Sequence, residues 1–221
     1  MSELSIPWLQ TNFSDTPITI FDIGCADMND TLNFKGALPN AVFYAFECGE
    51  YWLENNTQLA SMHKVNYFHM AVSNVDGELE FYPSESHKGI ENWWLSGSTC
   101  KPITNPYDLT WGTPYTVKSI RLDTFCKIHN IIPDIIHIDA EGAEYNVLSS
   151  MGEYKPKCIW AEITEFQSHD TGITYSKFSE LMQNLGYIKW HHNKSDDLYV
   201  LPQYNFTPYI TPHPKRYFNK K

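Results

Sequence analysis

Apolar positions along this chain fall into short β-branched runs, separated by stretches with helical spacing. Residues 18–23 (ITIFDI) and 41–47 (AVFYAFE) read as buried strands, each carrying an acid at or near its end. Helices are expected at about residues 30–38 and 50–62, and a third strand at residues 65–72. This β-α-β-α-β order with short connections predicts a parallel sheet with right-handed crossovers. Residues 74–77 form a turn, after which residues 78–82 are expected to pair with the third strand as a hairpin.

Periodicity is lost over residues 83–114, which contain Trp93, Trp94 and Trp111 with Ser96, Gly97 and Ser98 between them. A loop of this length in a compact domain serves as a lid or acceptor wall, or packs on its own aromatics or on a second subunit of a homo-oligomer. Beyond it, residues 115–120 alternate as a strand and 122–128 follow as a helix. Ile135, Ile136 and Ile138, broken by His137, form the central strand. It runs into Asp139, Glu141, Gly142 and Glu144, and then into a helix with Ala143, Val147 and Leu148 on its apolar side. Residues 158–163 (CIWAEI) are another buried strand and 175–185 an amphipathic helix closed by Gly186. Residues 187–191 and 198–201 complete an antiparallel edge. The reading is an α/β, Rossmann-like fold with helices on both faces of a mostly parallel sheet. An N-terminal arm occupies residues 1–17, the domain residues 18–201 and a surface tail residues 202–221.

The 221 residues suffice for one well-filled α/β domain. A formal charge of −10 argues against indiscriminate nucleic-acid binding, because phosphate contacts require clustered Lys and Arg. The basic cluster of Lys215, Arg216, Lys220 and Lys221 reads as a solvated tail. No apolar run is long enough to span a bilayer and no leader pattern opens the chain, so a cytoplasmic protein without membrane insertion is expected. Five cysteines without a CxxC pair suit free thiols in a reducing compartment.

Ligands of open α/β sheets bind at the carboxyl ends of the strands. Glu47 stands about one βαβ unit after the first turn, where a carboxylate that holds ribose hydroxyls belongs. The first turn (Gly24, Cys25, Ala26, Asp27) lacks G-x-G-x-x-G, which favours a nucleoside without a pyrophosphate.

The segments FDIGCADMNDT, the FE closing the second strand, AVSNVDGELEFY, IRLDTF and IIHIDAEGAEYNVLSSMG together resemble the FkbM-type methyltransferases, over about residues 18–165. The resemblance implies a Rossmann-like sheet, S-adenosylmethionine as cofactor and methylation of a hydroxyl on a sugar, glycan or natural-product acceptor. It implies that Asp22, Gly24 and Cys25 form the turn beneath the methionine part, that Glu47 holds the ribose, and that Ala71, Val72 and Ser73 line the adenine. Asp139 and Glu141 would face the methyl-transfer side. The chain departs from the family at Met28, where Gly is usual, and at His137, where Lys is frequent. These departures motivate the alternative of a catalytically degenerate binding or assembly protein.

Residues two apart on a strand share a face, so His137 and Asp139 lie on one side. His137 with Asp139 as its orienter, or Asp139 directly, is the candidate base; a core histidine bonded to a neighbouring strand is the plainer reading of His137. Glu141 is either a first-turn acid or joins Asp139 and Glu162 around a hard cation such as Mg²⁺. Glu144 reads as a first-turn acid alone. Trp93, Trp94, Trp111 and Ser98 are the candidate acceptor wall.

Overall fold

The structure is a computed structural model that describes residues 5–14, 16–87, 90–91, 96–103, 109–163, 169–193 and 195–209. The chain opens with helix α1 (Ile6–Phe13), capped by the Ser5 hydroxyl accepting from the Trp8 N–H. Trp8 and Leu9 are buried, so the expected arm is part of the core. Strand β1 (Thr19–Ile23) then leads to α2 (Asn29–Ala37), β2 (Val42–Glu47), a 3₁₀ turn at Glu50–Trp52, α3 (Leu53–His63) and β3 (Asn66–His69). All three strands run parallel, with β1 beside β2 and β2 beside β3.

The expected third strand is in fact two. After β3 the chain leaves the first sheet at Met70 and enters a second one as β4 (Ala71–Ser73). The expected hairpin does not form either. Strand β5 (Gly77–His87) pairs with β9 (Tyr115–Arg121), which lies between β4 and β5. The turn is tied to β9 instead: the Ser119 hydroxyl donates to the Val75 carbonyl at 2.8 Å and the Arg121 N–H to Asp76 at 2.8 Å. Between β5 and β9, the described residues carry β6 (Ile90–Glu91), β7 (Gly97–Ser98) and β8 (Leu109–Trp111), each paired with β5. The insert is thus an antiparallel sheet laid over the strand tips. Trp93 and Trp94 lie outside the described residues, as does the basic tail cluster.

The remainder returns to the first sheet through α4 (Leu122–His129), β10 (Ile135–Ile138), α5 (Glu144–Ser149), β11 (Cys158–Glu162), α6 (Tyr175–Asn184), β12 (Ile188–Asn193) and β13 (Asp196–Val200). Its strand order is β12-β13-β11-β10-β1-β2-β3. Five strands are parallel, and β13 and β12 form the antiparallel edge. This is the expected α/β architecture. The strands are apolar because both faces are covered. Trp8, Leu9, Phe34 and Phe43 pack on one side, and Phe125, Val147, Leu148 and Phe178 on the other. Residues after β13 return to the first face, where Tyr209 stacks on Trp160 with ring centroids 5.7 Å apart. Among the described residues no helix is long and apolar enough to cross a membrane. All five cysteines are free and buried.

Candidate active site

The tips of β1, β2 and β10 meet at Gly24. Its N–H and that of Cys25 both donate to the Phe46 carbonyl, at 2.9 and 3.0 Å, which turns the chain over the end of β2. Gly24 has φ +81°, and a Cβ there would collide with the Asp139 carbonyl oxygen. Only glycine allows this close approach. The loop then takes left-handed conformations at Ala26 (φ 41°) and Met28 (φ 65°). At Met28, the position where the resemblance implies that Gly is usual, the backbone adopts the conformation a glycine favours. The cost for a side-chain-bearing residue is about 1–2 kcal/mol, offset by complete burial of the Met28 side chain in the core.

Two side chains hold this loop from below. Asn56, fully buried on α3, donates to the Ala26 carbonyl at 2.6 Å. Glu47 Oε2 accepts from the Ala26 N–H at 3.0 Å, and Oε1 from the Gly49 N–H at 2.6 Å. Burial pushes the Glu47 carboxyl up, while the N–H groups of Gly49 and Ala26 draw it back. Asn56 was not singled out from the sequence. Its only signal there is a polar residue on the inner side of an amphipathic helix.

Above these tips lies a cleft that is partly open to solvent. Gly24 and Ala26 form its floor, Glu47, Cys48, Ala71 and Val72 one end, and Asp139, Ala140 and Glu141 the other. Phe81, Ser96, Gly97 and Thr99 of the inserted sheet roof it. Gly97 has no room for a side chain, since a Cβ would press on the Phe81 ring and the Tyr82 carbonyl.

Of the residues marked out in the sequence, Gly24, Glu47, Ala71, Val72, Asp139 and Glu141 therefore share one cleft. Asp22, Cys25, Ser73 and Ser98 are buried and do not line it. The Ser98 hydroxyl accepts from the Cys100 N–H at 2.9 Å. Trp111 lies half-buried with its ring edge-on to His169, 5.9 Å between centroids.

His137 is not oriented by Asp139. It sits beside Asp22 on the neighbouring strand, with Nδ1 2.7 Å from Asp22 Oδ1, and both residues are buried. The second Asp22 oxygen accepts from the Thr31 hydroxyl of α2, and the Phe34 ring covers the imidazole. Burial works to lower the His137 pKa, but the charge and hydrogen bond of Asp22 outweigh it and hold the imidazole above its ordinary value. This is the plainer reading of a core histidine. The face that His137 and Asp139 share is closed by α2 at the level of His137 and opens only at the tip.

Asp139, Glu141 and Glu162 each bring a carboxylate oxygen within 4.8 Å of the others. Burial and the charges of Glu162 and Glu141 push Asp139 well up. Asp139 Oδ1 is buried with no hydrogen-bond partner among the described residues. An acceptor hydroxyl, or a hard cation, would satisfy that oxygen.

The family model for the methyltransferase FkbM domain matches residues 26–193. This chain belongs to the FkbM methyltransferases. Its sequence is 28% identical over 177 residues to the 2-O-methyltransferase NoeI of Sinorhizobium fredii (strain NBRC 101917 / NGR234), covering 74% of this chain and 70% of that protein. Solved structures with a similar fold include a precorrin-6y C5,15-methyltransferase from Geobacter metallireducens GS-15, at 11% identity and TM-score 0.43, covering 88% of this chain and 83% of that one. Another is the O-methyltransferase of a trans-AT PKS multienzyme from Brevibacillus brevis in complex with S-adenosyl-L-homocysteine. It is 9% identical with TM-score 0.47, covering 83% of this chain and 51% of that one. The chain is accordingly an S-adenosylmethionine-dependent methyltransferase.

Proposed function

We propose that this methyltransferase moves the methyl group of S-adenosylmethionine to a hydroxyl of a sugar, glycan or natural-product acceptor. The observation that carries this reading is the polarity of the cleft. At one end Glu47 is fixed by two N–H groups, each oxygen keeping a lone pair that a ribose hydroxyl would use. At the other, Asp139 presents a carboxylate oxygen that has no partner among the described residues and lies among acids. The 2-O-methyltransferase activity named for NoeI supports oxygen as the acceptor atom.

When bound, the cofactor supplies an electrophilic methyl on a sulfonium, and its departing thioether is neutral. The chain's own task is to orient the acceptor and receive its proton. Holding both partners in line contributes roughly 7–11 kcal/mol, and a positioned base a further 10²–10⁴-fold. Asp139 is that base in this reading, with the proton retained between Asp139 and Glu162. Its raised pKa suits the role, since a carboxylate at its ordinary value is a poor acceptor for a hydroxyl proton. Glu47 holds the ribose, Ala71 and Val72 contact the adenine, and Trp111 borders the acceptor side.

The test has two arms. Calorimetric titration with S-adenosylhomocysteine should give micromolar binding. Incubation with methyl-labelled cofactor and a panel of methyl pyranosides should then yield an O-methylated product by mass spectrometry. A folded sample that binds no S-adenosylhomocysteine would overturn the cofactor assignment; binding without transfer to any hydroxyl would overturn the acceptor class. Repeating the assay in EDTA decides whether Asp139, Glu141 and Glu162 hold Mg²⁺ or a proton: a metal role requires loss of turnover that Mg²⁺ restores.

A further inference from the structure

The loop joining β10 to α5 bears the acids nearest the reacting end of the cleft, and its backbone is in an unfavourable course. Glu141 has φ 50° and Gly142 φ 98°. For Glu141 the left-handed conformation costs about 1–2 kcal/mol. Such a conformation persists only where its surroundings over-determine it.

The side chain that does so is Glu144. It does not point to solvent as a first-turn acid would: it is fully buried and folds back over the loop. Its Oε1 accepts from the Ala140 N–H at 2.9 Å and from the Gly142 N–H at 3.2 Å, bracketing Glu141. The inserted segment closes the far side, where the Cys100 thiol donates to the Gly142 carbonyl at 3.8 Å and receives the Asn146 amide at 3.7 Å. One oxygen makes both loop bonds. Oε2 is buried with no hydrogen-bond partner among the described residues.

We propose that Glu144 is a positioning residue for methyl transfer, fixing Asp139 and Glu141 at the cleft through the two loop N–H groups that its Oε1 accepts. The proposal rests on the reading of Asp139 as the proton acceptor. It predicts that what the site needs at position 144 is a neutral acceptor of the same length, not a negative charge. A Gln provides that acceptor. A Met has nearly the same length and helix propensity and provides none.

The experiment compares wild type with Glu144→Gln and Glu144→Met. Each is measured for turnover, for S-adenosylhomocysteine affinity by calorimetry, and for amide exchange of the peptide spanning residues 139–144. Glu144→Gln should keep turnover and exchange near wild type. Glu144→Met should lose turnover by about tenfold or more, since a displacement near 1 Å can cost 10²-fold. Its cofactor affinity should stay within about threefold, and exchange at residues 140–142 should accelerate. A folded Met variant with wild-type turnover would overturn the proposal, and so would a Gln variant as impaired as Met. Should the Met variant not fold, the Gln variant decides alone, by retained or lost turnover. If the wild type methylates no hydroxyl, the acceptor reading fails separately, and the exchange contrast still decides the role of Glu144: equal rates in all three proteins would refute it.

Discussion

Raising the pH from about 5 to 8 should weaken this fold, and the share due to Glu144 follows from its surroundings. Burial first, then the charge of Glu162, push its pKa from 4.5 up to about 8, although the N–H groups of Ala140 and Gly142 pull the other way. In the unfolded chain the group returns to its ordinary value. Between the two values the folded state therefore holds a proton that the unfolded state has released. The stability this proton represents is complete below the unfolded pKa and is lost as pH rises through the folded one. At 1.36 kcal/mol per unit the full loss is about 5 kcal/mol, most of it between pH 5 and 8. That is a large share of a total of roughly 5–15 kcal/mol. Urea unfolding followed by tryptophan fluorescence at several pH values measures it. Glu47, Asp139 and His137 are also held up and bend the curve in the same sense, so the informative quantity is the difference from Glu144→Gln. Asp123 is held low by Arg121 and is ionised throughout this range, so it leaves the slope unchanged. The Gln variant should flatten the profile by about 3–4 kcal/mol over the same interval. Parallel profiles for the two proteins would refute the argument.

Three further outcomes are expected. Glu47→Ala removes an acceptor that fixes the Ala26 loop and, in the proposed reading, the ribose; S-adenosylhomocysteine affinity should fall by about 2–3 kcal/mol in calorimetry, and unchanged affinity would sink the assignment. His137→Ala leaves Asp22 buried without its partner and should cost about 3–5 kcal/mol by urea unfolding. Its turnover, measured where the variant is folded, should change less than about threefold, whereas Asp139→Asn should lower it about 10²-fold; the reverse order would restore His137 as the base. Gly24→Ala forces a methyl into the Asp139 carbonyl at a left-handed φ, so circular dichroism should find it unfolded or calorimetry find no cofactor binding; a native variant with normal affinity would contradict the contact between the two tips.

The parallel core of the fold was legible because β1, β2, β10 and β11 are largely apolar runs of four to six residues, and local composition suffices to mark them. The third strand was not. Residues 65–72 look like one run, yet Met70 divides them between two sheets, and the partner of the second half, β9, lies more than forty residues further on. Pairing of that kind is a long-range choice that periodicity does not encode. The same limit governs the site. Strand alternation put His137 and Asp139 on one face, but not the depth at which α2 closes it. Glu144 was read as a helix-dipole acid because spacing does not reveal whether a side chain turns outward or back. Nor does a capping box mark the second option, because Glu144 is the first residue of α5 and position 141 carries Glu where that motif has Ser or Thr.

In the proposed reading, the orientation of the cofactor follows from how unequally the two ends of the cleft treat their carboxyl oxygens. Both oxygens of Glu47 are already engaged by N–H groups, so its orientation is set before any ligand arrives. A ligand that meets such a group gains affinity without having to order it. Asp139 is the opposite case, with a buried oxygen lacking a partner among the described residues and neighbours that raise the cost of its charge. Such a group is held in a state that a hydroxyl donor relieves, and relief increases as the proton moves toward it. The first arrangement favours binding and the second favours the transition state over the ground state, which is the distinction on which turnover depends. In the proposed reading, a cofactor lying with its ribose on Glu47 points its reactive end toward Asp139, whose buried oxygen has no hydrogen-bond partner among the described residues.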